Sequence, residues 1–542
     1  ELFLVYSRMI QKVVGYPVRT GLNGHDHFDF TKFTDLMSSG KLYGLTGKLD
    51  AEYFHCVGPE LRQSFSNDTA YLISPASLME LNDDMRTPVN QERLAWKALF
   101  GGAKGFDWEA SFPSSGSLGG YSTFTPDLSE PLPFAKNIFA QVRFLQAGIG
   151  ELCNVSRPLR SPVAILWDPV EHYVSRTILR QKNSFSGGPF SNVDADGGAI
   201  TDALVLMKNL RIRPKFVSPQ QVADGLLARD GYRAVILPYN KGMSDEVAAV
   251  LKDFVKSGGV LIADNEPGSR SRFGRSLDKG LLADMIPGFD KEGIHPFGKG
   301  VAAYLPDAIN GYLGRMAKGD YSGSDAVGHV LKKYAGVRPF AELLDEQGRP
   351  RRDTLMPVWQ NGSLRLLGLL RASTSDGHQT GPTTVKLPQA YHIWDVREAK
   401  YIGYQDSFTL DLTLSPKLYA LLPANPQKID LALDAVEYEP EGSVRGSVTV
   451  QFDPQHASHI DDLAQVIHVA VFAPDGRELE YYRQNVIFDG AQAAFSLPIS
   501  YSEKTGTYRA KVSYPLTGLA TEKTFKIGQA KMVSETKQEN KK

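Results

Sequence analysis

A chain of 542 residues is too long for one hydrophobic core and points to roughly three to five domains. Its 42% hydrophobic and 22% charged content is that of a globular protein and excludes a disordered class. With 60 Lys and Arg against 61 Asp and Glu the formal net charge is −1, so no global electrostatic footprint for nucleic acid or an anionic membrane exists.

The two cysteines, Cys56 and Cys153, match no metal or redox spacing and read as unpaired, mostly buried thiols. The longest apolar runs, such as Leu364 to Leu370, fall far short of the ~20 residues a membrane span needs. No transmembrane helix is expected.

The chain begins with ELFLVYSRMIQKVV, whose Leu4, Met9, Ile10 and Val13 share one helical face. No basic n-region or cleavage site follows, and the pattern opens without an N-cap, so further chain is expected upstream of Glu1. Tyr16 to Gly21 reads as a strand running into the polar loop Asn23-Gly24-His25-Asp26-His27. A helix-like stretch spans Phe30 to Met37, and the strand Ala70 to Ile73 runs to Ser74-Pro75. A helix from about Gln91 to Phe100 follows, then a turn of Gly101, Gly102 and Ala103, and a short strand ending at Asp107, Trp108 and Glu109. Phe134, Ile138, Val142 and Leu145 complete the stretch at helical spacing. This βαβα order implies parallel strands, and four of them cannot close a barrel.

A second α/β unit occupies about 161 to 290. Ser161 to Asp168 and Ala234 to Pro238 are buried strands. Ser244 caps a helix with Asp245 and Glu246 in its first turn and Val247, Val250, Leu251, Phe254 and Val255 on one face. Gly258-Gly259 closes it before the strand Val260 to Ala263. A doubly wound, flavodoxin-like sheet is the natural solution. A helix near Asp325 to Tyr334 and a turn at Asp345 to Gly348 lead out of this unit.

After that the helical signal stops. Ser363 to Arg371, Thr383 to Leu387, Tyr391 to Val396, Ser407 to Leu414 and Leu418 to Leu422 read as strands of a small β-sandwich. Pro423-Ala-Asn-Pro426 is a candidate linker. Period-two alternation from Val444 to Phe452, with strands at Val466 to Phe472, Thr507 to Val512 and Lys523 to Ile527, predicts an immunoglobulin-like sandwich. The expected division is 1–150, 151–345, 346–424 and 425–530, with 531–542 a disordered tail.

Ends of parallel barrel strands carry chemistry, and a carboxylate beside an indole suits a sugar. Trp108 is therefore a candidate sugar platform and Glu109 a candidate acid. Asn23, His25 and Asp26 offer hydroxyl binding at another strand end. The His-Asp-His triplet is a weak metal signal because adjacent residues rarely converge on one ion, and neither a metal nor a cofactor is expected. Three glycosylation sequons, at Asn67, Asn154 and Asn361, are no more than a chain of this length gives by chance.

The order GGAKGFDWEASFP, SPVAILWD, then YRAVILPYNKGMSDEVAAVLKDFVKSGGVLIADN resembles the glycoside hydrolase family 42 beta-galactosidases. In those enzymes a catalytic (β/α)8 barrel precedes an amidotransferase-like trimerisation domain and a small β-domain. LPQAYHIWDVREAKYIGYQDSFTLDLTLSPKLYALLP looks like that last part, and the C-terminal sandwich goes beyond the minimal plan. The resemblance makes residues 1–145 the second half of the barrel. It implies a carbohydrate substrate, an acid/base glutamate upstream of Glu1, on the same chain or a separate one, and a homotrimer. It also implies a nucleophilic glutamate at the end of the strand Ala70 to Ile73. Here that end reads Ser74-Pro75-Ala76-Ser77, and the first glutamate is Glu80. Either Glu80 reaches the site from the loop, or the barrel binds glycans without cutting them. The amidotransferase chemistry itself is not expected, because Ala234 to Leu237 runs into Pro238-Tyr239-Asn240 with no cysteine. The trailing β-domains resemble those of secreted glycan-degrading proteins and imply an extracytoplasmic location.

Overall fold

The structure, a computed structural model, describes residues 36–42, 60, 63–65, 70–75, 88–102, 105–106, 130–131, 133–168, 195–289, 292–371, 381–454 and 460–529. Three parallel strands open it: β1 (Leu36–Leu42), β2 (Ala70–Pro75) and β3 (Gly105–Phe106), in that order across the sheet. Of the helix-like stretch Phe30 to Met37, residues 30–35 lie outside the described residues, and Leu36 and Met37 open β1. Its sequence LMSSGKL has no apolar alternation, and what defines it is pairing of Leu36 through Ser39 with Ala70 through Ile73 of β2.

The helix Pro88–Phe100 connects β2 to β3, with proline at its first position where no N–H is missed. Helix Pro133–Phe144 passes through a π-helical turn, Leu145–Ile149, into helix Gly150–Val155. That turn meets the C-terminal unit, where Asn485 Nδ2 donates to the Gln146 carbonyl at 3.0 Å.

Beyond β4 (Arg157–Pro158), the strands β5 (Val163–Leu166), β6 (Lys215–Val217), β7 (Ala234–Leu237), β9 (Val260–Ala263) and β12 (Gly300–Tyr304) run parallel. The antiparallel β11 (Gly293–Phe297) sits at one edge, giving the order β11-β12-β9-β7-β5-β6. VAIL, AVIL and VLIA are buried at every position, as in a sheet covered on both faces. Helix Ala195–Asn209 covers one face and helix Asp245–Lys256 the other. The Ser244 hydroxyl accepts from Val247 N, a cap that stabilises a helix by about 1 kcal/mol. Beside this sheet β8 (Gly242–Met243) pairs with β10 (Arg270–Ser271).

The next strands are β13 (Glu342–Leu344), β14 (Thr354–Leu355), β15 (Val358–Asn361), β16 (Leu364–Arg371), β17 (Gly381–Asp395), β18 (Lys400–Leu412) and β19 (Lys417–Leu422). They hydrogen-bond, with β4, into one continuous eight-stranded sheet. The stretches Thr383 to Leu387 and Tyr391 to Val396 are not two strands. Gly381 to Asp395 is a single strand whose register shifts between Lys386 and Tyr391, where Pro388 has no N–H to give a ladder.

The C-terminal unit has two sheets. β20 (Pro426–Leu433), β22 (Ser443–Phe452) and β25 (Gln492–Pro498) form one. β21 (Glu437–Tyr438), β23 (Ala464–Phe472), β24 (Gln484–Asp489), β26 (Gly506–Tyr514) and β27 (Leu519–Ile527) form the other. Val444, Val448, Val450, Phe495 and Leu497 face Val469, Val471, Tyr508, Val512 and Phe525 in one core. The candidate linker Pro423 to Pro426 is a buried junction. Ala424 is fully buried, Asn425 accepts from Trp394 Nε1 at 3.0 Å, and Pro426 already belongs to β20. Prolines mark a linker only where backbone and side chains stay in water, and these do not.

Candidate functional site

The carboxyl edge of β1, β2 and β3 is where the expected sugar site falls. Leu42 pairs with Pro75, so β1 and β2 end at one level, while Phe106, the last residue of β3, pairs with Ile73, two residues before the end of β2. Ser74 and Pro75 are the last residues of β2, so no acid terminates it. Asp107, Trp108 and Glu109 follow Phe106 directly in sequence. Trp108, Glu109, Glu80, Asn23, His25 and Asp26 themselves lie outside the described residues, as does the strand Tyr16 to Gly21.

What fixes this edge is packing behind it. Trp96, on the helix between β2 and β3, is fully buried and donates Nε1–H to Gln141 Oε1 at 2.8 Å. Its ring meets Phe100 at 5.6 Å and Phe144 at 6.0 Å, and the Arg397 guanidinium lies 5.0 Å above it. Arg397 also pairs with Glu92, and Arg93 Nη1 donates to the Leu414 carbonyl at 2.8 Å. Phe100 packs on Trp359 and against Gly368, where a Cβ would meet its ring at 2.8 Å. The helix that delivers the chain to Trp108 and Glu109 is thus clamped by the eight-stranded sheet.

A second fastening joins the same helix to the doubly wound unit. Glu60, almost wholly buried, takes Arg160 Nη1 at 2.6 Å and Arg213 Nη2 at 3.1 Å. Burial pushes its carboxyl up, but Arg213, Arg160 and Lys208 outweigh that and hold it at about 2. Gln63 Nε2 donates to Gly102 O at 2.8 Å at the helix end, and its Oε1 accepts from Arg213 at 2.6 Å. Ser64 Oγ accepts from Phe216 N at 3.0 Å. Nothing in the sequence around Glu60 signals this node, because its partners lie 100 and 153 residues away.

At the carboxyl edge of the second sheet, Asp264 follows β9 and accepts from the N–H groups of Asp307, Ile309 and Asn310 at 2.8, 3.0 and 2.8 Å. Burial raises its pKa against those three bonds. Asp202 binds Gly311 N and Leu313 N at 2.6 and 2.8 Å, and burial pushes it up to about 6 despite them. Both acids work as loop organisers. The sole cysteine of the described residues, Cys153, is buried in helix Gly150–Val155, which precedes the first strand of this sheet, so it follows none of the sheet's strands.

Among the described residues no group of His, Cys, Asp and Glu is arranged to hold a metal ion, and no helix is long and apolar enough to cross a membrane. A cleft of about 570 Å³ lies on the C-terminal sandwich between Asp434, Arg445, Ser447, Gln484 and Ser496. None of the expected site residues lines it.

No family sequence profile and no curated protein matches this chain. Solved structures do. The beta-galactosidase from Bacillus circulans sp. alkalophilus superimposes with a TM-score of 0.58 at 14% identity, over 77% of this chain and 66% of that one. A GH42 beta-galactosidase from G. stearothermophilus gives 0.55 at 14% identity, over 76% and 65%. The beta-galactosidase from Rahnella sp. R3 gives 0.56 at 13% identity, over 76% and 65%. The chain has a GH42-like fold and spans just under two thirds of the length of these proteins.

Proposed function

We propose that this chain is the C-terminal portion of a glycoside hydrolase acting on β-galactosides or related glycans. The observation that carries the reading is the run of parallel strands, doubly wound sheet and trailing β-sheets, matched over 77% of the chain by a beta-galactosidase. Its edge of β1 to β3 forms one wall of a sugar site, with Trp108 as platform, Asn23, His25 and Asp26 as hydroxyl ligands, Glu80 as candidate nucleophile and Glu109 as a further acid of that wall, the acid/base glutamate being the one the resemblance puts outside this chain. A retaining mechanism needs two carboxyls roughly 5–5.5 Å apart, one protonated and one ionised. The test is turnover of aryl β-D-galactosides by the intact protein assembly. Glu80→Gln and Glu109→Gln are each expected to lower kcat by about 10²–10⁴-fold. Unchanged turnover in both variants removes these residues from the mechanism.

One observation favours a second reading, a glycan-binding or scaffold protein without hydrolysis: β2 ends in Ser74-Pro75 and not in an acid. A wild-type assembly that retains galactan on a column yet turns over no aryl glycoside decides for it.

The second unit is read as a flavodoxin-like, trimerisation-type domain, supported by parallel strands that, numbered in chain order, lie 2-1-3-4-5. A homotrimer is expected in multi-angle light scattering at micromolar concentration, and a monomer there excludes it. The last unit is read as immunoglobulin-like, supported by the Tyr508 hydroxyl closing back on the Lys504 carbonyl at 2.7 Å. Extracytoplasmic placement is part of the same proposal.

A further inference from the structure

The β17–β18 ribbon carries an aromatic set that the barrel reading does not use. His392 pairs with Tyr404, Ile393 with Gly403 and Trp394 with Tyr401, so one extra residue, Ile402, bulges out of β18. Residues directly opposite in a ladder share a face, as do alternate residues along a strand. His392, Trp394, Tyr401 and Tyr404 therefore all stand on one face. Without the bulge, Tyr401 and Tyr404, three positions apart, would point to opposite faces. Gly403 makes the bulge possible, with a φ of +146° that side-chain-bearing residues rarely adopt.

The rings are held and yet presented to solvent. Tyr404 is 51% and Tyr401 37% exposed, while His392 between them is buried. His392 Nδ1 lies 2.9 Å from the Tyr401 hydroxyl, and its ring is 6.1 Å from Tyr401 at 26° and 4.7 Å from Tyr404 at 39°. Trp394 backs Tyr401 at 5.3 Å and is itself pinned to Asn425. Asp406, two residues beyond Tyr404, is exposed, whereas Lys400 and Gln405 alternate onto the opposite face of the ribbon. The patch is thus two ring faces held by His392 and Trp394, each ring ending in a phenolic hydroxyl.

We propose that Tyr401 and Tyr404 form a carbohydrate-binding surface, separate from the barrel edge, on which an oligosaccharide stacks the apolar faces of consecutive pyranose rings. Each ring offers an apolar plate with a polar rim, which matches a sugar carrying C–H groups on one face and hydroxyls around its edge. The glycan class of the ligand rests on the function proposed above; the common face of the two rings does not.

The test is affinity electrophoresis of the full chain in gels holding a soluble β-galactan, β-mannan or β-glucan, beside the Tyr401→Ala/Tyr404→Ala and Tyr404→Phe variants. Wild type is expected to be retarded in at least one gel, the double variant to bind at least ~10-fold more weakly by loss of stacking, and Tyr404→Phe to keep most of the retardation. Circular dichroism of the double variant checks that it is folded. Equal retardation of wild type and the double variant overturns the site while leaving glycan binding elsewhere intact. Absence of wild-type retardation in all three gels overturns the surface, and the barrel reading then stands or falls on the aryl-galactoside assay alone. A changed mass of the double variant in native mass spectrometry assigns the rings to a contact between copies and overturns the sugar role.

Discussion

Trp96→Ala is expected to lower stability by about 3–5 kcal/mol, the cost of emptying a large buried aromatic site. Alanine leaves Phe100, Phe144 and the Arg397 guanidinium facing a void, and Gln141 Oε1 loses its indole donor. The loss falls on the joint between the helix Pro88–Phe100 and the eight-stranded sheet, so the readout is the first transition in urea, since a chain with several cores unfolds in more than one step. Trp96→Phe separates ring from hydrogen bond. It keeps most of the burial, and Arg397 Nη2 still reaches Gln141 Oε1 at 3.3 Å, so a loss of only about 1–2 kcal/mol is expected. Equal losses in the two variants would show that the hydrogen bond, and not packing, secures the joint.

Glu60→Gln is the second large effect. It leaves Arg160 and Arg213 without their shared carboxylate in a buried site, which typically costs about 3–5 kcal/mol. The pH dependence carries a definite sign. The folded carboxyl sits at about 2 against an ordinary 4.5, so its contribution is present above about 4.5 and is lost as pH falls toward 2. Asp202, raised from 3.8 to about 6, runs the other way: protonation between those values favours the folded state. Subtracting the urea midpoints of Glu60→Gln from those of wild type at each pH cancels Asp202 and isolates Glu60. A difference that does not shrink between pH 4.5 and 2.5 contradicts the assigned ion pairs.

The parts legible in the sequence are those whose signal is local. The helix Asp245–Lys256 carries its own cap, acidic first turn and apolar stripe, and it forms where that pattern places it. VAIL, AVIL and VLIA are apolar throughout because a strand covered on both faces has no solvent side to mark. β22 alternates because one face meets the core. β1 was illegible for the opposite reason: LMSSGKL is a strand through its partner β2. The site residues Trp108 and Glu109 were reached from strand-end logic alone, and the described residues extend to Phe106, two positions short of Trp108.

The sequence by itself determined the succession of α/β and β units, the doubly wound elements, and the Asp107-Trp108-Glu109 stretch following a short strand. Tertiary structure decided that the Pro423 to Pro426 stretch is a core junction, that β4 joins a sheet whose other strands lie about 200 residues on, and that Glu60 ties two units together. It also decided that Tyr401 and Tyr404 share a face. The physical reason is common to all four. Period, capping and turn chemistry act over a few residues and leave their mark in the local sequence. Ladder register, buried ion pairs and a one-residue bulge depend on partners far along the chain, and only folding brings those partners together.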